Sequence, residues 1–142
     1  MTAAARKKRI LAVDDDPAAV GALRQILTQK GYDVITASSG EEALGVLADQ
    51  LFDLAILDVS LPGMSGYDVC RGIRKDTRTV NLPVIFLTAR ALLMDMAEGE
   101  DAGSDLYLIK PVLATKLLSM VGMFLSDDGP LAKKRTPLAS KS

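Results

Sequence analysis

Asp14, Asp15, Asp58, Thr88 and Lys110 are the residues of this 142-residue sequence whose types could do chemistry together. Each stands at or just past the end of a short apolar run: Ile10 to Val13, Leu54 to Leu57, Val84 to Leu87 and Leu106 to Ile109. Three carboxylates in one cleft would repel and raise one another's pKa until a proton or a cation relieved them. Mg²⁺ commonly takes one or two carboxylates together with waters and a phosphate oxygen. Lys110 adds a compact positive charge that can pair with a carboxylate or a phosphoryl oxygen, and Thr88 adds a hydroxyl that can donate to an arriving anion. Together they suit phosphoryl transfer to an aspartate nucleophile, a reaction that needs positioning and charge stabilisation. Taken singly the residues have plainer readings. Asp14 and Asp15 could cap a helix, Asp58 could be a loop acid, Thr88 a strand end and Lys110 a surface lysine.

The elements that would have to position them are legible from periodicity. Asp16-Pro17 offers an N-cap with proline at the first helical position, and Val20, Leu23, Ile26 and Leu27 follow at helical spacing until Gly31. Asp33 to Ala37 reads as a second strand. Ser39 with Glu42 is a capping-box signature ahead of Ala43, Leu44 and Leu47. Leu61 to Gly66 is a loop by its breakers, after which Val69, Cys70 and Ile73 form a helical stripe. The last helix is expected over about Leu113 to Leu125, with Leu117, Leu118, Val121, Phe124 and Leu125 on its apolar face. Five strands alternating with five helices predict a parallel sheet covered on both faces, with right-handed crossovers. Ligands of such sheets bind beyond the carboxyl ends of the strands, where all five chemical residues are expected to meet.

Composition narrows the function classes. Hydrophobic residues make up 49% and aromatics only 4%, so the core must be aliphatic. No apolar run reaches the length of a membrane span, and the basic start, Met1 to Arg9, is not followed by a signal-peptide core; a soluble cytoplasmic domain is expected. With no histidine and a single cysteine, Cys70, there is no histidine catalysis, no cysteine cluster and no internal disulfide. Cys70 reads as a small core residue. All 18 acidic residues lie between Ile10 and Asp128 with nine of the 17 basic ones, the rest being terminal. The body is therefore strongly acidic, which argues against direct nucleic-acid binding and suits a cation site. Residues 1–8 are expected to form a basic flexible N-terminus, 9–126 the globular domain, and 127–142 a disordered basic tail or linker remnant.

With these pieces in order, the sequence resembles the receiver domain of bacterial two-component response regulators. The matching segments are Ile10-Leu-Ala-Val-Asp-Asp-Asp-Pro17, Asp58 followed by Leu61-Pro-Gly-Met-Ser-Gly66, Leu87-Thr-Ala89 and Tyr107-Leu-Ile-Lys-Pro111. The resemblance covers about residues 8 to 126. It implies a flavodoxin-like (βα)5 fold with strand order 2-1-3-4-5, and makes Asp58 the phospho-acceptor. Asp15 and Asp58 would ligate Mg²⁺ (or Mn²⁺) directly, Asp14 largely through water, and the backbone carbonyl of Ser60 would be a further ligand. Thr88 and Lys110 would grip the phosphoryl oxygens, and Tyr107 would be the aromatic that swings inward with Thr88 on activation. The Lys110-Pro111 bond is commonly cis in the family. Asp16 falls at a variable position and keeps a capping role. Implied partners are a sensor histidine kinase or phosphotransfer protein and a downstream protein on the surface of the fourth helix, fifth strand and fifth helix. The module would be a signalling switch, a monomer or weak homodimer, catalysing only its own phosphorylation and dephosphorylation.

The sequence departs from its family mainly in Arg90 to Asp101. Ala91, Leu92, Leu93, Met94 and Met96 stand where relatives often carry charges, and Gly99 with Glu100 falls where the inward face of the fourth helix is expected. A helical glycine and a buried glutamate both cost stability, so this helix is expected to be short, shifted or mobile. Its apolar start is a candidate docking patch, unless it repacks inward. Val112 replaces a frequent aromatic, and by the resemblance Ser60 and Arg90 tune phosphoryl lifetime. Two other function classes compete. A small-molecule phosphotransferase or phosphatase could use Asp58, but Ser60 stands where its second acid is expected; a nucleotide- or flavin-binding protein would want a glycine-rich phosphate loop after the first strand. No output domain fits after Leu125, so the chain reads as a stand-alone regulator or a receiver from a longer parent.

Overall fold

A computed structural model describes residues 6–126. The expectations for residues 1–5 and 127–142 lie outside the described residues. The elements are β1 (Arg9–Val13), α1 (Pro17–Gln29), β2 (Asp33–Ala37), α2 (Gly40–Asp49), β3 (Leu54–Leu57), α3 (Gly66–Lys75), β4 (Val84–Thr88), α4 (Leu93–Ala102), β5 (Leu106–Ile109) and α5 (Ala114–Leu125). The strands form one parallel sheet in the order β2-β1-β3-β4-β5. β1, β3 and β4 are apolar throughout or nearly so, as strands covered on both faces must be.

Alternation along the strands divides the core in two. Leu11, Val13, Leu57 and Phe86 face one way, against Val69, Cys70 and Ile73 of α3 and Ala43 and Leu47 of α2. Ile10, Ala12, Ile56 and Ile85 face the other, against Leu23 and Leu27 of α1 and Leu117, Val121 and Phe124 of α5. Burial pushes the Cys70 thiol up to about 11, which keeps it a protonated core group.

Local chemistry fixes the ends of the crossovers. Asp16 caps α1 by accepting from the Ala18 N–H (3.1 Å), and Gly31 takes the left-handed backbone that ends that turn (φ 101°). Ser39 caps α2 by accepting from Glu42 N–H (3.1 Å). The Glu42 carboxylate reaches back to the N–H and hydroxyl of Ser38. α3 carries a reciprocal box between Ser65 and Asp68, an S-x-x-D pattern visible in the sequence but not singled out there.

α4 is a full ten-residue helix, and Glu100 is exposed rather than inward. The correction follows from helical geometry: Gly99 faces in, and the next residue is turned by about 100°. Gly99 is where the helix meets the ring of Tyr107, and a Cβ there would also press on Phe86. Leu92, Leu93 and Met94 do not repack inward and stay 65%, 81% and 73% exposed.

Candidate functional site

The parallel register brings the carboxyl ends of the strands to one edge, with Val13 opposite Ala37 and Leu57, Leu57 opposite Phe86, and Thr88, two residues further along β4, opposite Ile109. The residues just beyond meet on that rim. Asp14 is held by its N–H to Ala37 O (3.1 Å), Asp58 by its N–H to Val13 O (2.9 Å), and Lys110 by its N–H to Thr88 O (2.8 Å). Gly66 supports Asp58 from below: its N–H donates to Val59 O (2.8 Å), and any Cβ would collide with the Asp58 carbonyl. A side chain there would push α3 off the strand end.

Lys110 is the hub. Its ammonium donates to Asp14 Oδ2 at 2.7 Å and to Asp58 Oδ2 at 3.3 Å, across 96 and 52 residues of sequence. The other oxygens are satisfied locally. Asp14 Oδ1 accepts from Asp16 N–H (3.0 Å), and Asp58 Oδ1 accepts from Ser60 N–H (3.2 Å). Both carboxylates are buried at about the level of core residues. Burial by itself pulls the Lys110 ammonium down, but the Asp14 hydrogen bond and the charges of Asp58 and Asp14 outweigh it, so its pKa lies above the ordinary lysine value.

Asp15 is exposed and lines, with Ser60, Leu61, Arg90 and Met94, an open cleft of about 790 Å³ beside the buried pair. The donors are hard oxygens, a set that suits Mg²⁺ or Mn²⁺. Among the described residues no three acidic or cysteine side chains close into a ready-made cage. Mg²⁺ does not require one, because it keeps several waters and needs only one or two carboxylates.

Thr88 is buried, and its hydroxyl oxygen accepts from Arg90 N–H (3.3 Å). Tyr107 is not in the cleft. Its ring lies 5.8 Å from that of Phe86, and its hydroxyl donates to Arg90 O (2.9 Å) and lies 3.4 Å from the hydroxyl of Tyr67. Burial, then the Tyr67 hydroxyl, raise the Tyr107 pKa, so the phenol stays a donor. The structure thus brings together Asp14, Asp58 and Lys110, with Thr88 bonded to the same backbone, Asp15 and Ser60 at the mouth and Tyr107 outside. Lys110-Pro111 is cis.

Three residues carry no sequence signal that singles them out, two beside the site and one at the far end of the sheet. Asp95 is a buried carboxylate whose Oδ1 accepts two hydrogen bonds from the Arg90 guanidinium (3.1 and 3.0 Å) and whose Oδ2 accepts from Leu92 N–H (3.3 Å). Tyr67 donates to the Asp95 carbonyl (2.9 Å). Arg74 joins α3 to the opposite end of the sheet through Asp105 and three carbonyls.

Comparison with known proteins agrees with this geometry. The profile of the family described as response regulator receiver domain matches residues 10–122. The chain is similar to the transcriptional regulatory protein AfsQ1 of Streptomyces coelicolor, 48% identical over 72% of this chain and 44% of that protein. It is also similar to the DNA-binding response regulator MtrA of Mycolicibacterium smegmatis, 37% identical over 81% of this chain and 49% of that protein. The chain spans about half the length of the curated relatives it matches. Among solved structures, a CheY-like receiver domain protein from Methanospirillum hungatei superposes with a TM-score of 0.81 at 32% identity, covering 91% of this chain and 97% of that one. The receiver domain of the sensor histidine kinase PA1611 from Pseudomonas aeruginosa, solved with a magnesium ion in its active site cleft, gives 0.79 at 30% identity over 84% and 98%. A five-stranded sheet in this order, a family match over residues 10–122 and relatives above 30% identity converge: the chain belongs to the response regulator receiver domain family of two-component systems.

Proposed function

We propose that the receiver body, residues 9–126, accepts a phosphoryl group on Asp58 from a sensor histidine kinase or phosphotransfer protein and thereby switches the α4-β5-α5 surface for a downstream protein. The observation that carries this reading is the double hydrogen bond from Lys110 to Asp14 and Asp58. It puts an ammonium within reach of a carboxylate nucleophile at the sheet's carboxyl rim. Asp58 Oδ2 would attack phosphorus as the bond from phosphorus to the donor's nitrogen breaks. Lys110 would follow the new charge from the aspartates to a phosphoryl oxygen. Thr88 would rotate its hydroxyl to donate to a second oxygen, giving up its acceptance from Arg90 N–H. Mg²⁺, or Mn²⁺, bound by Asp15, Asp58 and the Ser60 carbonyl with Asp14 behind a water, would neutralise the charge gathering in the cleft.

The added phosphoryl brings roughly −1.5 to −2 charge, and the motion of Thr88 would loosen the loop that Tyr107 holds through Arg90 O. Population would shift towards a state in which Tyr107 turns inward and α4, β5 and α5 present a different face. We assign the domain a signalling role in the cytoplasm, as a monomer or weak homodimer, with no direct nucleic-acid contact by its acidic body. No described helix is long and apolar enough to cross a membrane.

The test is incubation with acetyl phosphate and Mg²⁺, read by intact mass, with Asp58→Asn as control. A Mg²⁺-dependent adduct on the wild type alone supports the reading. If acetyl phosphate, beryllofluoride and candidate kinases all leave the wild type unmodified and unbound, the reading is overturned.

A further inference from the structure

Asp95 is a buried acid that the phosphorylation reading does not use. Its side chain is 8% exposed, while that of Arg90, its partner at 3.0 Å, is 51% exposed. One member of the pair is therefore fixed in the fold and the other is free to leave. Arg90 and Asp95 line the same cleft as Asp15 and as Val59 and Ser60, the two residues that follow Asp58, so the guanidinium is tethered on the wall of a cleft that opens beside Asp58.

We propose that Asp95 is a positioning residue that parks Arg90 away from Asp58 in the unphosphorylated protein, and that a phosphoryl group on Asp58 competes with Asp95 for the guanidinium. The inference rests on the phosphorylation reading above. Charge sets the direction of the competition. A carboxylate offers one negative charge, whereas a phosphoryl offers nearly two and geometry suited to a bidentate arginine. Departure of Arg90 frees Asp95 Oδ1, the cost that the phosphoryl group must outweigh, but does not strip the carboxylate of every partner. Its Oδ2 keeps the Leu92 N–H, and the carboxylate sits in the first turn of α4, where the helix dipole favours an anion. The transfer also has a mechanical outlet. Arg90 lends its N–H to Thr88 and its carbonyl to Tyr107, so moving it disturbs both switch residues. Asp95 would thus set how strongly the resting state resists phosphorylation.

Beryllofluoride titrated by calorimetry in the presence of Mg²⁺ tests this on four proteins: wild type, Asp95→Asn, Arg90→Gln and the double variant. Asp95→Asn, freeing Arg90, is expected to tighten beryllofluoride binding by about 5-fold or more, the lower end of ordinary coupling between sites. The tightening is expected to vanish when Arg90→Gln is added. Unchanged binding by Asp95→Asn, or tightening that persists without Arg90, overturns the proposal. If circular dichroism shows that Asp95→Asn does not fold, Arg90→Gln alone decides: weaker beryllofluoride binding than wild type supports recruitment of Arg90, and equal binding overturns it. Failure of the parent reading is distinct, because there the wild type binds no beryllofluoride and takes no phosphoryl group.

Discussion

Two ion-pair systems stand at opposite ends of the sheet and are built differently. At the amino end Arg74 spends its fork on four acceptors: Asp105 Oδ2 (3.0 Å) and the carbonyls of Gly103, Val80 and Leu82. Asp105 in turn takes the Val84 N–H at 2.8 Å. At the carboxyl rim Lys110 presents a flexible point charge to two carboxylates, one close and one at 3.3 Å. A planar guanidinium with its donors filled by backbone is difficult to re-partner, whereas an ammonium on a four-carbon stem moves towards whichever anion is strongest. The same ingredients, buried acid and long cation, make a fixture in one place and a movable contact in the other.

Breaking the fixture should cost most. Arg74→Ala takes the guanidinium away from Asp105 and from three carbonyls and is expected to lower stability by about 3 kcal/mol, read by urea unfolding, while phosphorylation of the folded fraction continues at the wild-type level. A loss of phosphorylation without loss of stability would erase the contrast. Lys110→Met leaves Asp14 and Asp58 facing each other and is expected to cost about 2 kcal/mol at neutral pH.

The pH dependence sharpens this second case. Because the folded-state pKa of Lys110 is raised, its contribution is fully present below the ordinary lysine pKa and is lost only as pH climbs through the higher folded value. The difference between wild type and Lys110→Met in thermal unfolding should therefore stay flat on the mildly alkaline side of neutrality and close only in strongly alkaline buffer. A difference that closes near neutral pH would show that the ion pair is not its source. The smallest effect belongs to Tyr107→Phe, which removes the hydroxyl bond to Arg90 O and should cost at most about 1 kcal/mol. Its amide exchange should quicken in the Arg90 to Leu92 loop and remain unchanged around Arg74.

The contrast also separates what sequence makes legible from what it does not. Strands and caps follow local rules, so Asp16, Ser39 and the runs ending at Val13, Leu57 and Ile109 could be placed by neighbours a few residues away. The meeting of Asp14, Asp58 and Lys110 could be anticipated because each follows a strand of the same parallel sheet. Arg74 and Tyr67 could not, since their partners extend to 31 and 40 residues away, on elements and loops whose relative rotation no periodicity fixes. Asp95 hides for the same reason, in a helix start without a strong capping residue. The misplacement of Glu100 shows the limit at its smallest scale: one helical step separates the packed Gly99 from solvent.

The shared carboxyl rim has a consequence for how such a chain can change over time. Because each site residue is registered by the number of residues in its strand, the sheet acts as a ruler, and side chains reverse face with every step along it. Substitutions within a strand alter packing by increments. A single-residue insertion or deletion between Arg9 and Asp14, or between Leu54 and Asp58, would turn a carboxylate away from Lys110 altogether. Strand length, more than strand composition, is therefore the property that descent must preserve, and length changes should accumulate in the loops at the opposite, amino-terminal end of the sheet.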